Sequence, residues 1–314
     1  MSDSDIGFLL SVAALLLFTV AIVVTKIASS RIPLGLGFLI ATVVNVVFAG
    51  LALLVQLAIR VDAVEWNTTA FWLFVIAGAF STYLGRWFFY ESVVRFGPAK
   101  ASIFQVSSPL FTAVMAWSLL SERLSWLVVL GLLFTIAGLM MVAYQPGFFS
   151  RSRAPVDGIP AAQTTLRSRL LASIFLLGLG SSLAYAIGNV LRGSAVRSWP
   201  EPLLGAWLGA VSGLLLHLAF TSGRAGLFAR LQEADKKGVW LYVLIGGSTI
   251  SAQVFVIASM QYIPLSVATL VTLCTPILVF PISHWLLKSG EQFTPVMLAG
   301  SALAMLGIFI IITR

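Results

Sequence analysis

Apolar runs of about twenty residues, the length a helix needs to cross about 30 Å of hydrocarbon, recur from one end of the chain to the other. Ten such runs are read, at about 6–26, 34–59, 70–92, 98–120, 125–145, 170–191, 202–220, 239–261, 265–287 and 294–312. Each is continuously apolar, whereas a membrane barrel alternates apolar and polar residues in shorter segments, so helices are the spanning element expected here. Composition agrees: of 314 residues, 59% are hydrophobic and 10% charged, against about a quarter charged in an ordinary soluble domain. The expected fold class is all-α, a polytopic membrane protein of ten transmembrane helices.

The first run is expected to be a true span, because "MSDSD" has no basic n-region and the run outlasts a signal-peptide core. Cys274 is the single cysteine, which excludes an intramolecular disulfide. The net charge of +8 arises from residues in short loops beside the runs, with no Lys/Arg block. It therefore reads as a topology signal, and a nucleic-acid partner is not expected. Ten spans put five basic residues (Arg60, Arg123, Arg192, Arg197 and Arg314) on the face of the termini and thirteen on the other, a bias that places the termini outside. In that count Arg192 is a loop residue just past the sixth run.

One long polar stretch, "PGFFSRSRAPVDGIPAAQTTLRSR", interrupts the pattern and marks a boundary. The chain divides into 1–148, a linker at 149–168, and 169–314. The two parts resemble each other. Aligned from Trp72 and from Trp240, Trp72 meets Trp240, Gly78 meets Gly246, Ala101 meets Ala268 and Pro109 meets Pro276, at offsets of 167 or 168. Gly131 and Gly138 meet Gly300 and Gly307 at an offset of 169. Five spans per copy is an odd number, so the second copy must enter the membrane from the opposite side. Inverted repeats of this kind are the architecture of many secondary transporters, with the site between the halves near the midplane. Duplication as a mere scaffold is the alternative.

The order of motifs in "GRWFFYESVVRFGPAKASIFQVSSPLFTAVMAWSLLSERLS…GLLFTIAGLMMV" resembles the EamA module of the drug/metabolite transporter superfamily, and "SVATLVTLCTPILVFPISHWLLKSGEQF…GSALAMLGIFII" is similar in the second copy. That copy departs by two inserted residues before Glu291 and by Gln292-Phe293 in place of Arg-Leu. The resemblance implies two inverted five-helix repeats that move a small organic solute, often by export and often coupled to protons. It also implies a multi-pass position in a cell membrane and no cofactor.

Polar residues inside the runs are the candidate site, because each needs a partner in hydrocarbon. Arg86 lies deep in the third run, where a guanidinium can hold a carboxylate or phosphate bidentately or anchor a helix. Asn45, Gln105, Ser108, Tyr185, Asn189, Ser251 and Gln253 are candidate lining groups or, singly, clamps between helices. Pro109 and Pro276 are candidate helix bends. Glu91 and His284 are candidates for proton coupling, although Arg95 one turn beyond Glu91 offers it an ion pair; His217 is a packing residue or a relay. Gly205, Gly209 and Gly213, spaced by four, form a close-approach face for an internal contact or a homodimer. The chain shows no HExxH, P-loop or GxSxG pattern and no metal-ligand cluster, so neither an enzyme nor a nucleotide-driven pump is expected. Three readings stay open: a solute transporter, a flippase or exporter of phosphorylated or lipid-linked metabolites, and a non-transporting assembly or regulatory protein.

Overall fold

The computed structural model describes residues 3–60, 62–105, 107–108, 111–112, 114–115, 126–143, 174–220, 227–263, 265–287 and 294–312. The linker, Pro109 and residues 116–125 lie outside the described residues. Among the described residues every regular element is helical: α1 Asp3–Ser29, α2 Leu34–Ile59, α3 Thr68–Phe96, α4 Pro98–Gln105, α5 Trp126–Ala143, α6 Ile174–Ser198, α7 Pro202–Phe220, α8 Leu227–Glu233, α9 Lys236–Ser259, α10 Leu265–Leu273, α11 Thr275–Leu287 and α12 Pro295–Ile312. Of these, α1, α2, α3, α7 and α9 are long and apolar enough to cross a membrane.

Local chemistry sets the ends. The Asn67 side chain accepts from Ala70 N at 3.0 Å to cap α3, and Asp235 accepts from the amides of Lys237 and Gly238 to cap α9, satisfying amides that a helix start leaves free. Gly97 closes α3 at a φ of 94°, which its missing Cβ permits. Pro98 then opens α4, where its missing N–H costs nothing.

The packing of the two copies is reciprocal. With α1, α2, α3, α5 and α6, α7, α9, α12 as counterparts, α1 packs on α9 as α6 packs on α3, and α2 on α9 as α7 on α3. The α2–α7 and α5–α12 contacts are each their own counterpart. Single residues obey the same rule. A Cβ on Gly37 would stand 2.0 Å from the Tyr242 ring, and one on the counterpart Gly205 2.3 Å from the Phe74 ring, itself the counterpart of Tyr242. Gly78 abuts the Gly209 backbone as Gly246 abuts Ala41 O. On α5 and α12, Gly138 meets Gly300 O and Gly307 meets Gly131 O, each 2.4 Å from a hypothetical Cβ. Thr135 and Ala304, counterparts at the same offset of 169, meet between those two contacts. Such exchange of partners is what a two-fold operation does to an interface. The axis passes between Thr135 and Ala304. The spaced glycines of α7 are thereby used inside the bundle, against Phe74, Gly78 and Thr82.

One irregularity separates the copies. Gly78–Gly85 is an eight-residue π-helical segment inside α3, while α9 is α-helical throughout. Gly78 aligns with Gly246 at an offset of 168, but Ser81-Thr82 align with Ser248-Thr249 at 167. The first copy therefore holds one extra residue, Ala79 or Phe80, and the π segment absorbs it. Beyond it the register makes Arg86 the counterpart of Gln253.

Two ion pairs join the copies at opposite ends of α2. Arg31 Nη1 donates to Asp235 Oδ2 at 2.9 Å at one end, and Arg60 pairs with Glu201 at the other. Arg31 and the two cap amides hold the Asp235 carboxyl below its ordinary range.

Candidate functional site

A cavity of about 110 Å³ lies between the copies, walled by α1 (Phe18, Ala21, Ile22), α3 (Arg86, Phe89, Tyr90), α4 (Ser102, Gln105), α6 (Tyr185, Asn189, Arg192), α9 (Thr249, Gln253, Val256), α10 (Thr269, Thr272) and Thr275 of α11, with Ser108 just past α4. Apolar and aromatic groups of α1 and α3 face a wall of serine and threonine hydroxyls. Among the described residues no acidic side chain lines it.

Two arginines do. Arg86 is 2% exposed and Arg192 3%, so both guanidiniums are removed from bulk water, where charge is costly without partners. Asn45 of α2 lies behind Arg86. With its carboxamide oriented to satisfy its neighbours, its oxygen accepts from Arg86 Nη1 while its nitrogen donates to Ala41 O at 2.9 Å and Gly246 O at 2.7 Å. Tyr185 lies within hydrogen-bonding reach of the same guanidinium. Gln253, oriented by the same criterion, accepts from Arg192 Nη2 at 2.8 Å and Nη1 at 3.0 Å. Arg192 Nη2 also donates to Thr82 Oγ1 at 3.1 Å. Arg192 Nε is buried with no acceptor among the described residues.

Among the described residues, every partner of these two cations is a neutral oxygen. The geometry holds both planes while leaving their charge uncompensated by the wall, an arrangement that can attract and orient an anion. Arg192 was expected in a loop and is instead inside α6, which runs on to Ser198 rather than stopping near residue 191. The readable signal was the absence of any helix stop before Pro200. Hydropathy falls at Arg192, but backbone geometry does not change there.

The other candidates divide. Gln105 and Ser108 are in the wall, and Gln105 also donates to Ser181 Oγ at 2.6 Å, so it lines the cavity and clamps α4 to α6 at once. Ser181 in turn donates to Gly85 O at the end of the π segment (2.8 Å), and Ser182 to Phe104 O (2.6 Å). Serines of α6 thus satisfy carbonyls of irregular backbone at membrane depth. Tyr185 and Asn189 are in the wall; Ser251 is half-buried on α9 and outside it. The site was expected from the first four helices of each repeat, yet α2 reaches it only through Asn45, and α7 approaches Arg192 only with Gly209.

Glu91 accepts from Arg95 Nε at 2.7 Å in a partly exposed pair one turn apart. His217 is buried against Phe38 with ring centroids 4.7 Å apart, and its Nε2 meets Gly35 O at 3.1 Å, away from the cavity wall. The side chains of His284 and Pro276 lie outside the described residues. The backbone still shows a break at this place in both copies. Ser107 N donates to Phe104 O at 3.1 Å and Cys274 N to Val271 O at 3.2 Å, turn-like bonds at counterpart positions two residues before Pro109 and Pro276.

A solved crystal structure shares this fold with a TM-score of 0.63, covering 98% of this chain and 97% of its own at 14% identity. No curated protein matches significantly. The two copies are also found separately by one family pattern, over residues 5–144 and again over 172–313. The chain belongs to the EamA-like transporter family, and so to the membrane transporters of the drug/metabolite superfamily.

Proposed function

We propose that the protein is a gradient-driven transporter of a small organic anion, with ten crossings in a cell membrane, five per copy, and a central site exposed to each side in turn. The observation that carries this reading is the pair of buried arginines facing one cavity whose wall, among the described residues, contains no carboxylate. Exchange of partners between the copies supports rocking about the axis at Thr135 and Ala304, since each half then presents an equivalent surface to the other. The cavity is small and lies between helices of the two copies, which favours a compact free solute over one attached to a lipid chain. Arg86 and Arg192 bind the solute; Asn45 and Gln253 position them; Gln105, Ser108, Tyr185 and Asn189 complete the wall.

Uptake into sealed vesicles containing the purified protein, compared across pools of anionic, neutral and cationic solutes, tests the proposal. Anions are expected to accumulate, and Arg86→Ala to lower that uptake by about tenfold or more, the scale of a lost hydrogen bond to a charged group. Arg86→Lys, which keeps the charge but not the planar fork, is expected to fall in between. An unchanged solute profile in both variants would overturn the assignment of Arg86.

A further inference from the structure

Resting on the anion reading above, we propose that the solute is a compact dianion, with one negative group taken by Arg86 and the other by Arg192. Both guanidiniums open on one small cavity, and among the described residues its wall holds no carboxylate. A monoanion would leave one of the two cations without a counter-charge in a low-dielectric site, whereas a dianion neutralises both.

The hydrogen bonding points the same way. Asn45 and Gln253 each accept from η nitrogens and leave other N–H groups of the same guanidinium available. Arg192 Nε–H is the clearest case, buried and with no acceptor among the described residues. A carboxylate or phosphate oxygen satisfies it.

Size limits the skeleton. Arg192 bonds to Thr82 on the same helix that carries Arg86, and both guanidiniums line one cavity of about 110 Å³. That volume suits a short dicarboxylate or a small phosphomonoester rather than a long-chain diacid.

The copies are not equivalent in this respect. Arg86 has the neutral Gln253 as its counterpart, and Asn45 has Gly213 at an offset of 168. The second copy receives its cation from α6 instead, where Arg192 passes beside Gly209 and reaches Gln253. The two charges are thus separate acquisitions placed in one cavity. Duplication alone does not explain them.

The test compares matched pairs on purified protein by thermal shift and by counterflow in vesicles. The pairs are succinate against its monoamide and glycerol 3-phosphate against its methyl diester. Each dianion is expected to bind about tenfold or more tightly than its monoanionic partner. Arg86→Gln, which places in the first copy the residue its counterpart carries, is expected to bring each pair within about twofold by lowering dianion binding more than monoanion binding. A measurement on the unaltered protein guards against misfolding of that variant. The second phosphate ionisation falls near pH 6, so affinity for glycerol 3-phosphate should rise between about pH 5.5 and 7.5 while that for the diester stays flat. Equal binding within each pair, with a flat pH profile, overturns the dianion and leaves the anion reading standing. Binding of neutral or cationic solutes in preference to every anion overturns both.

Discussion

Gln253 illustrates how one side chain decides whether a buried charge is tolerable. Its oxygen accepts from both η nitrogens of Arg192, and a hydrogen bond to a charged group contributes about 1.5–3 kcal/mol net. Gln253→Leu preserves volume and removes that acceptor, leaving Thr82 as the partner that remains. The expected outcome is a loss of about 1.5–3 kcal/mol in stability, read as a lower melting temperature in detergent. Added anion should restore more of that loss than it adds to the unaltered protein, since it supplies the missing acceptor. A melting temperature equal to that of the parent chain would show that Gln253 does not hold Arg192. Arg86 was legible from sequence because it stands alone in a strongly apolar run. Arg192 was not, because hydropathy ends a span where polar residues gather, whereas a helix ends where its hydrogen bonds end, here near Pro200. Gln253 could be read as polar and intramembrane, but its role depended on a neighbour not yet placed in the bundle.

At the scale of the element, α3 carries the most informative irregularity. Its π segment ends at Gly85, immediately before Arg86, and the aligned copies differ there by one residue. The slip in offset from 168 to 167 was visible in the sequence, but its form was not, since an extra residue can also be taken up in a loop. Packing explains why it is absorbed within the helix. Gly78 is fixed against Gly209 on one side, and Ser181 bonds Gly85 O on the other, so both ends keep the orientation that the second copy shows at Gly246 and Gln253. Deleting Phe80, a half-buried residue of the segment, should return α3 to an uninterrupted α-helix in the register of α9. The variant is expected to fold, with a melting temperature within a few degrees of the parent, and to retain anion uptake. Deleting Phe88 instead removes a residue from regular α-helix and turns everything beyond it by about 100°, which should abolish uptake. If the Phe80 deletion unfolds the protein, the π segment is not where the extra residue is accommodated.

Across the whole molecule, the duplication was the part most fully readable in advance, because repeated glycines and prolines at near-constant offset survive where other residues drift. The sequence could not say which surfaces the copies use to meet. The structure places Thr135 and Ala304 at the axis, with glycine contacts reciprocated on either side, and sets ion pairs between the copies at opposite ends, Arg31–Asp235 and Arg60–Glu201. Rocking about that axis moves the ends and hardly moves the centre. In a background where Cys274 is replaced by serine, cysteine pairs at Thr135 and Ala304, at Arg31 and Asp235, or at Arg60 and Glu201 can each be joined by a short bifunctional thiol reagent. Linking 135 to 304 is expected to leave uptake within about twofold of the unlinked protein, because the two α-helices cross there without sliding apart. Linking either end pair is expected to stop uptake, since alternating access requires each end to open in its turn. The exposed Arg31–Asp235 pair itself contributes at most about 1 kcal/mol, but Asp235 also caps α9 and Glu201 is buried, so each cysteine pair is compared with itself before and after the reagent is added. Uptake that stops with the central link, or continues with both ends linked, would show that the halves do not rock about Thr135 and Ala304.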